Sequence, residues 1–244
     1  MHRLPAYSVA AAAGVLGAGS LALFGMFLWT GASGIVEMGM SAHATLAWDA
    51  GLCLLFFVQH SVMVRKWFRA RMGRVVAEKW HGVIYTMASA AALLLLAGLW
   101  QRSSTVIYWA TGAWREMARA VLLLSLAGVL WGIRSLGEFD AFGIEALLSR
   151  EGRPPGKLTI AGPYRWLRHP FYAFGIVAAW AGPVLSLDRL LFNILFTGWV
   201  LLGAALEERD LVAVFEDGYR QYQRTVPMFV PRRPRPKSHR AAAG

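Results

Sequence analysis

The chain has 244 residues, 57% of them hydrophobic and only 16% charged, yet its 25 Lys/Arg against 14 Asp/Glu give a formal net charge of +11. Soluble domains run roughly 45–50% apolar and about 25% charged, so a soluble globular fold is excluded in favour of an integral membrane protein with basic loops. A single cysteine, Cys53, excludes an intramolecular disulfide framework and a multi-cysteine zinc site, while the long apolar runs turn the basic charge toward membrane lipids rather than nucleic acid.

Six apolar stretches are long enough to span or nearly span a bilayer: Tyr7–Trp29, Ala44–Val64, Gly82–Trp100, Met117–Leu136, Phe171–Leu187 and Leu190–Leu206. The first is too long for a signal-peptide core and lies too far from the cleavage-like Ala42-His43-Ala44, so it is kept as a helix. Between the fourth and fifth spans, Gly137–His169 is polar and rich in Gly and Pro around Arg153-Pro154-Pro155-Gly156. The last two spans are separated only by Asp188 and Arg189, which predicts a tight antiparallel hairpin with Pro183 bending its first arm. Glu207–Val226 then reads as a continuing helix followed by an amphipathic one, and Pro231–Gly244 as a disordered basic tail near anionic headgroups.

The predicted fold is therefore all-α: a polytopic membrane helix bundle of about six spans, with a C-terminal helical hairpin and a cytoplasmic amphipathic helix. It divides into residues 1–136 (the first four spans), 137–230 (polar loop, helical hairpin and amphipathic helix) and 231–244 (tail). Of the Lys/Arg residues, 21 fall on one side of these spans and 4 on the other, which places both termini in the cytoplasm. Trp29, Trp48, Trp100, Trp109 and Trp114 collect on the opposite side, where an interfacial aromatic belt is expected. The compartment expected is a bacterial inner membrane.

Three strings carry chemistry. In Gly162-Pro163-Tyr164-Arg165-Trp166-Leu167-Arg168-His169-Pro170-Phe171-Tyr172, Pro170 opens a helix and puts His169 at its N-cap. Free amides, two guanidiniums and an imidazole there suit an anion, although a basic cytoplasmic loop accounts for the same residues. In Glu207-Glu208-Arg209-Asp210, hairpin geometry returns the glutamates to the Arg168/His169 surface. Neighbouring helix residues diverge by about 100°, so one glutamate is expected to meet a ligand and the other to pair with an arginine. In Gln59-His60-Ser61, the imidazole lies inside a span, on the face shared by Asp49 and Cys53. An ionisable group there faces the bundle interior, as a functional group or as an interhelical hydrogen bond; Asp49 is expected at the outer interface and Cys53 in packing.

The ordered set Gly162-Pro163-Tyr164, Arg168-His169-Pro170, Tyr172, Glu207-Glu208-Arg209, Tyr219, Tyr222, Val226-Pro227 and Pro231 resembles the integral-membrane methyltransferase superfamily. That superfamily includes isoprenylcysteine carboxyl methyltransferases, phospholipid methyltransferases and NnrU-like proteins. Val58-Gln59-His60-Ser61-Val62-Met63 and Phe139-Asp140-Ala141-Phe142-Gly143 resemble its methanethiol S-methyltransferase branch. The resemblance implies that S-adenosylmethionine binds at the cytoplasmic end of the hairpin, contacted by Arg168, His169, Tyr172 and one of Glu207/Glu208, with Tyr164, Tyr219 and Tyr222 as walls. It implies methyl transfer to a small lipophilic thiol. Such a thiol must lose its proton and a neutral imidazole can take it, which makes His60 the candidate base, with Gln59 or Asp140 orienting it. No metal and no obligate protein partner are expected. The alternatives are methylation of a lipid amine or a prenylcysteine carboxylate, and a haem-binding protein that uses His60 with His81 or His169.

Overall fold

A computed structural model describes residues 4–31, 35–137, 140–149 and 158–230. The elements, in chain order, are α1 (Leu4–Thr30), α2 (Ala42–Met63), α3 (Lys66–Met72), α4 (His81–Leu99), β1 (Val106–Trp109), α5 (Gly112–Ser135), α6 (Ile144–Leu148), α7 (Pro170–Trp180), β2 (Val184–Ser186) and α8 (Leu187–Thr225). Among the described residues, five helical segments are long and apolar enough to cross a membrane: Pro5–Thr30, Ala42–Met63, Glu78–Leu99, Gly112–Ser135 and Leu187–Thr225. The chain is an integral membrane helix bundle, as its composition requires. The expected disordered tail and the Gly- and Pro-rich stretch around Arg153-Pro154-Pro155-Gly156 lie outside the described residues.

The expected fifth span is shorter than its apolar run. Helix α7 has 11 residues, about 16 Å against a hydrocarbon core of about 30 Å. It stops at Trp180, so Pro183 bends no helix; its carbonyl accepts the Ala110 N–H at 2.8 Å. The chain returns through β2, which pairs antiparallel with β1. Asp188 and Arg189 are consequently not a turn but the first, buried turn of α8. Asp188 accepts from the Trp100 indole and the Ser103 N–H, each at 3.0 Å, and Arg189 donates to the carbonyls of Phe27 and Leu28. Two further expectations change at this end. Trp100 is 1% exposed, a buried donor rather than part of an interfacial belt, and Asp49 is fully buried, accepting from the Gln101 N–H.

Packing explains why this arrangement forms. Phe27, Leu52, Cys53, Phe57, Leu96, Trp100, Leu122, Ala178 and Phe192 make one core that joins α1, α2, α4, α5, α7 and α8. Gly128 and Gly132, one turn apart on α5, let α7 approach: a Cβ on Gly128 would fall 2.6 Å from the Phe174 ring. Small residues at a membrane helix interface allow this close contact. It fixes the rotation of α7, and with it the direction of Tyr172.

Helix α8 is 39 residues long with one break, at Glu216 (φ 46°, ψ −121°). On a straight helix Glu208 and Gln223 would be about 22 Å apart; their side chains are hydrogen-bonded at 2.8 Å. The chain therefore reverses at Glu216 and folds back against the end of the hairpin, which is the amphipathic segment expected from the sequence.

Candidate active site

The fold-back closes a polar cluster around Glu208. One carboxylate oxygen accepts from Arg168 Nε (2.6 Å), His169 Nε2 (3.2 Å) and the Tyr219 hydroxyl (3.4 Å), the other from Arg168 Nη2 (3.1 Å) and Gln223 Nε2 (2.8 Å). Arg168 Nη1 donates to the carbonyls of Gln223 and Val226. The backbone is stitched as well: Arg168 N–H donates to the Pro227 carbonyl and His169 N–H to that of Met228. The Tyr222 hydroxyl donates to the Tyr164 carbonyl at 2.5 Å. Arg168 and Glu208 are only 11% and 13% exposed along their side chains, so this bidentate pair is nearly desolvated.

Glu207 differs from its neighbour. Its side chain is 44% exposed; it accepts from the Tyr172 hydroxyl at 2.8 Å and lies 3.9 Å from His169 Nδ1. The two glutamates thus divide as helical geometry predicts: Glu208 takes the arginine and Glu207 faces outward. His169 is the N-cap of α7 but makes no side-chain cap bond. Its ring stacks on Tyr172 (5.4 Å, 10°) and binds Glu208. Burial holds the His169 imidazole below its ordinary range, against the upward pull of Glu207 and Glu208. Burial, and then Glu207, push the Tyr164 hydroxyl up to about 12, so it stays protonated beside that carboxylate.

The eight residues expected at the hairpin end therefore come together, in two roles. Arg168, Glu208, Tyr219 and Tyr222 are committed to one another and to backbone, and hold the fold-back in place. Glu207, Tyr172 and Tyr164 line its open side, with His169 between the two groups. Gln223 completes the Glu208 shell and was not singled out from the sequence; a polar residue four positions after Tyr219 on the same helical face was its signal.

The residues carried from the second span lie deeper. His60 sits among Phe56, Tyr85 and Trp199, with ring centroids 5.1–5.3 Å away. Its hydrogen-bond partner is the Tyr85 hydroxyl, 2.8 Å from Nε2 and 3.0 Å from Nδ1. Neither orienting candidate fills that place. Gln59 bonds Met63 and Ser89. Both oxygens of Asp140 accept backbone N–H groups, of Ile144 (2.9 Å) and Ala146 (3.0 Å), and so cap α6. Phe139, in the same motif, lies outside the described residues. Nothing in the sequence around Tyr85 marked it.

The histidines proposed for haem do not converge: His60 meets Tyr85, His169 meets Glu208, and His81 Nε2 lies 3.1 Å from the Val76 carbonyl. Among the described residues no group of three or more His, Cys, Asp or Glu is placed to hold a metal ion.

The family model described as NnrU protein matches residues 50–225. A Pseudomonas sp. protein named methanethiol S-methyltransferase is 36% identical over 193 residues, covering 76% of this chain and 73% of its own. A Mycobacterium tuberculosis protein of the same name is 36% identical over 181 residues, covering 72% and 74%. Nurim of Rattus norvegicus is 29% identical over 187 residues, covering 69% and 68%. No solved structure matches. The matched region runs from α2 to the end of α8 and contains both His60 and the Glu208 cluster, and on that match the chain belongs to the NnrU protein family.

Proposed function

We propose that this protein is an integral-membrane methyltransferase that moves the methyl group of S-adenosylmethionine to a small thiol such as methanethiol, giving a thioether. The observation that carries the reading is the division of labour between adjacent glutamates. Glu208 is saturated by Arg168, His169, Tyr219 and Gln223, while Glu207 stays half-exposed between Tyr172 and the mouth of the hairpin. A solvent-facing carboxylate suits ribose hydroxyls, the faces of Tyr172 and Tyr164 suit an adenine, and the N-terminus of α7 suits a carboxylate. Arg168, expected as a cofactor contact, acts instead by holding Glu208 and the returning chain. The thiol as acceptor follows from the relatives named methanethiol S-methyltransferase.

S-adenosylmethionine, when bound, supplies an electrophilic methyl on a sulfonium. The protein's part is alignment, water exclusion and removal of the thiol proton. His60 is the base in this reading, its imidazole enclosed by Phe56, Tyr85 and Trp199. The strong bias of Lys/Arg to one side supports a site facing the cytoplasm with both termini on that side, in a bacterial inner membrane.

The test is to incubate detergent-solubilised protein with methyl-labelled S-adenosylmethionine and methanethiol and to assay the headspace for labelled dimethyl sulfide. Labelled product is expected. Absence of product together with absence of cofactor binding, in folded protein, overturns the reading.

A further inference from the structure

The His60 imidazole is enclosed by Phe56 on its own helix, Trp199 on α8 and Tyr85 on α4. Trp199 is itself fixed, stacked on Phe57 at 4.6 Å and donating to Ser61 Oγ at 2.8 Å. Among the described residues, Tyr85 is the one hydrogen-bond partner of His60. Ser89, one turn along α4 from Tyr85, accepts from Gln59 Nε2 at 3.3 Å. The Tyr172 hydroxyl donates to Glu207 at 2.8 Å. A proton that reaches His60 along a hydrogen bond of the described residues therefore comes from the Tyr85 hydroxyl.

Resting on the thiol-methyltransferase reading, we propose that the Tyr85–His60 pair is the acceptor site. A compact thiol binds with its S–H directed at the Tyr85 oxygen and its sulfur against the aromatic wall of Phe56 and Trp199. Sulfur packs favourably on aromatic rings, and this wall is apolar. As the sulfur attacks, its proton moves to the Tyr85 oxygen while the Tyr85 proton moves to His60. A sulfur lone pair forms the new S–C bond, and the C–S bond of the sulfonium breaks with its electron pair staying on the departing thioether. Tyr85 ends as a neutral phenol and His60 as imidazolium, so the positive charge lost by the sulfonium reappears on His60 and the total charge is unchanged. The imidazolium returns its proton by the same path when the products leave.

Tyr85→Phe keeps the ring and removes the relay. With alkyl thiols its kcat is expected to fall about 10²–10⁴-fold, the usual worth of a positioned acid–base group, with S-adenosylmethionine affinity unchanged. With an aryl thiol already ionised at the assay pH the loss should be less than tenfold. A merely structural role lowers both acceptors alike, and that result overturns the proposal. Two readouts need no turnover. The infrared S–H band of ethanethiol bound to wild-type protein without methyl donor should be shifted by hydrogen bonding, and this shift should vanish in Tyr85→Phe. If that variant does not fold, 3-fluorotyrosine at position 85 replaces it, and its ¹⁹F resonance should move on adding ethanethiol; an unmoved resonance overturns the proposal. Failure of wild-type protein to methylate any thiol sinks the parent reading and this one together, whereas active wild type with acceptor-independent loss in the variant sinks only the role of Tyr85.

Discussion

Glu207 and Glu208 are adjacent in sequence, identical in chemistry and opposite in environment, so the same isosteric change at each should give opposite phenotypes. Glu208→Gln removes the charge that faces Arg168 in a pair 11% and 13% exposed. It also places an amide NH₂ against donors from Arg168, His169, Tyr219 or Gln223. Breaking a buried pair by removing one partner costs about 3–5 kcal/mol. For a chain of this size about 2–4 °C follows each kcal/mol, which gives a fall in Tm of about 6–20 °C. Because Gln223, Val226, Pro227 and Met228 are all held through this cluster, the fold-back after Glu216 should open first and be cut early in limited proteolysis. Glu207→Gln, in contrast, leaves an oxygen to accept from Tyr172 on a side chain 44% exposed, so stability should change by less than about 1 kcal/mol. Its cost should appear in S-adenosylmethionine binding. Losing a charged hydrogen-bond acceptor removes about 1.5–3 kcal/mol, or about 10–100-fold in Kd. Thermal unfolding and calorimetric titration of both variants in one detergent decide the matter. A stable Glu208→Gln protein, or a Glu207→Gln protein that binds the cofactor normally, would refute the division of labour.

Two further outcomes follow from particular contacts. Asp140→Ala should cost about 0.5–2 kcal/mol through loss of the α6 cap, seen as a lower Tm, while cofactor affinity and kcat in detergent stay near wild type; a collapse of kcat at unchanged stability would return Asp140 to the chemistry. Glu216 holds a positive φ that side chains rarely adopt, a strain of about 1–3 kcal/mol, so Glu216→Gly should be neutral or raise Tm and Glu216→Val should lower it.

Several features were legible because they are local. Pro170 after His169 marks the start of α7, and the 100° step between Glu207 and Glu208 predicts that only one of them can pair with Arg168. Hairpin geometry places Arg168, His169, Glu207 and Glu208 at one membrane surface, and the resemblance to the membrane methyltransferase superfamily adds Tyr164, Tyr172, Tyr219 and Tyr222 to them. What was misread concerns contacts between segments distant in sequence. The run Phe171–Leu187 is apolar throughout, yet the helix ends at Trp180 because Val184–Ser186 finds a strand partner in Val106–Trp109. Hydropathy records apolarity and says nothing of that pairing. Asp188 and Arg189 look like turn residues until Trp100, Ser103 and the Phe27 and Leu28 carbonyls are seen to satisfy them. Asp140 is a candidate to orient His60 by residue type, and only its two backbone donors reveal a cap.

The sequence by itself therefore determined the solvent in which this chain folds, the approximate spans, and the residues gathered at the hairpin end. The first two follow from apolar run length and helical periodicity, and the third from the resemblance of the ordered set to the membrane methyltransferase superfamily. Tertiary structure alone decided that the chain reverses at Glu216, that Glu208 is buried while Glu207 is exposed, and that Tyr85 meets His60 from another helix. Each of those is a contact between elements far apart in the chain, set by how whole helices pack; no property of a single segment contains it.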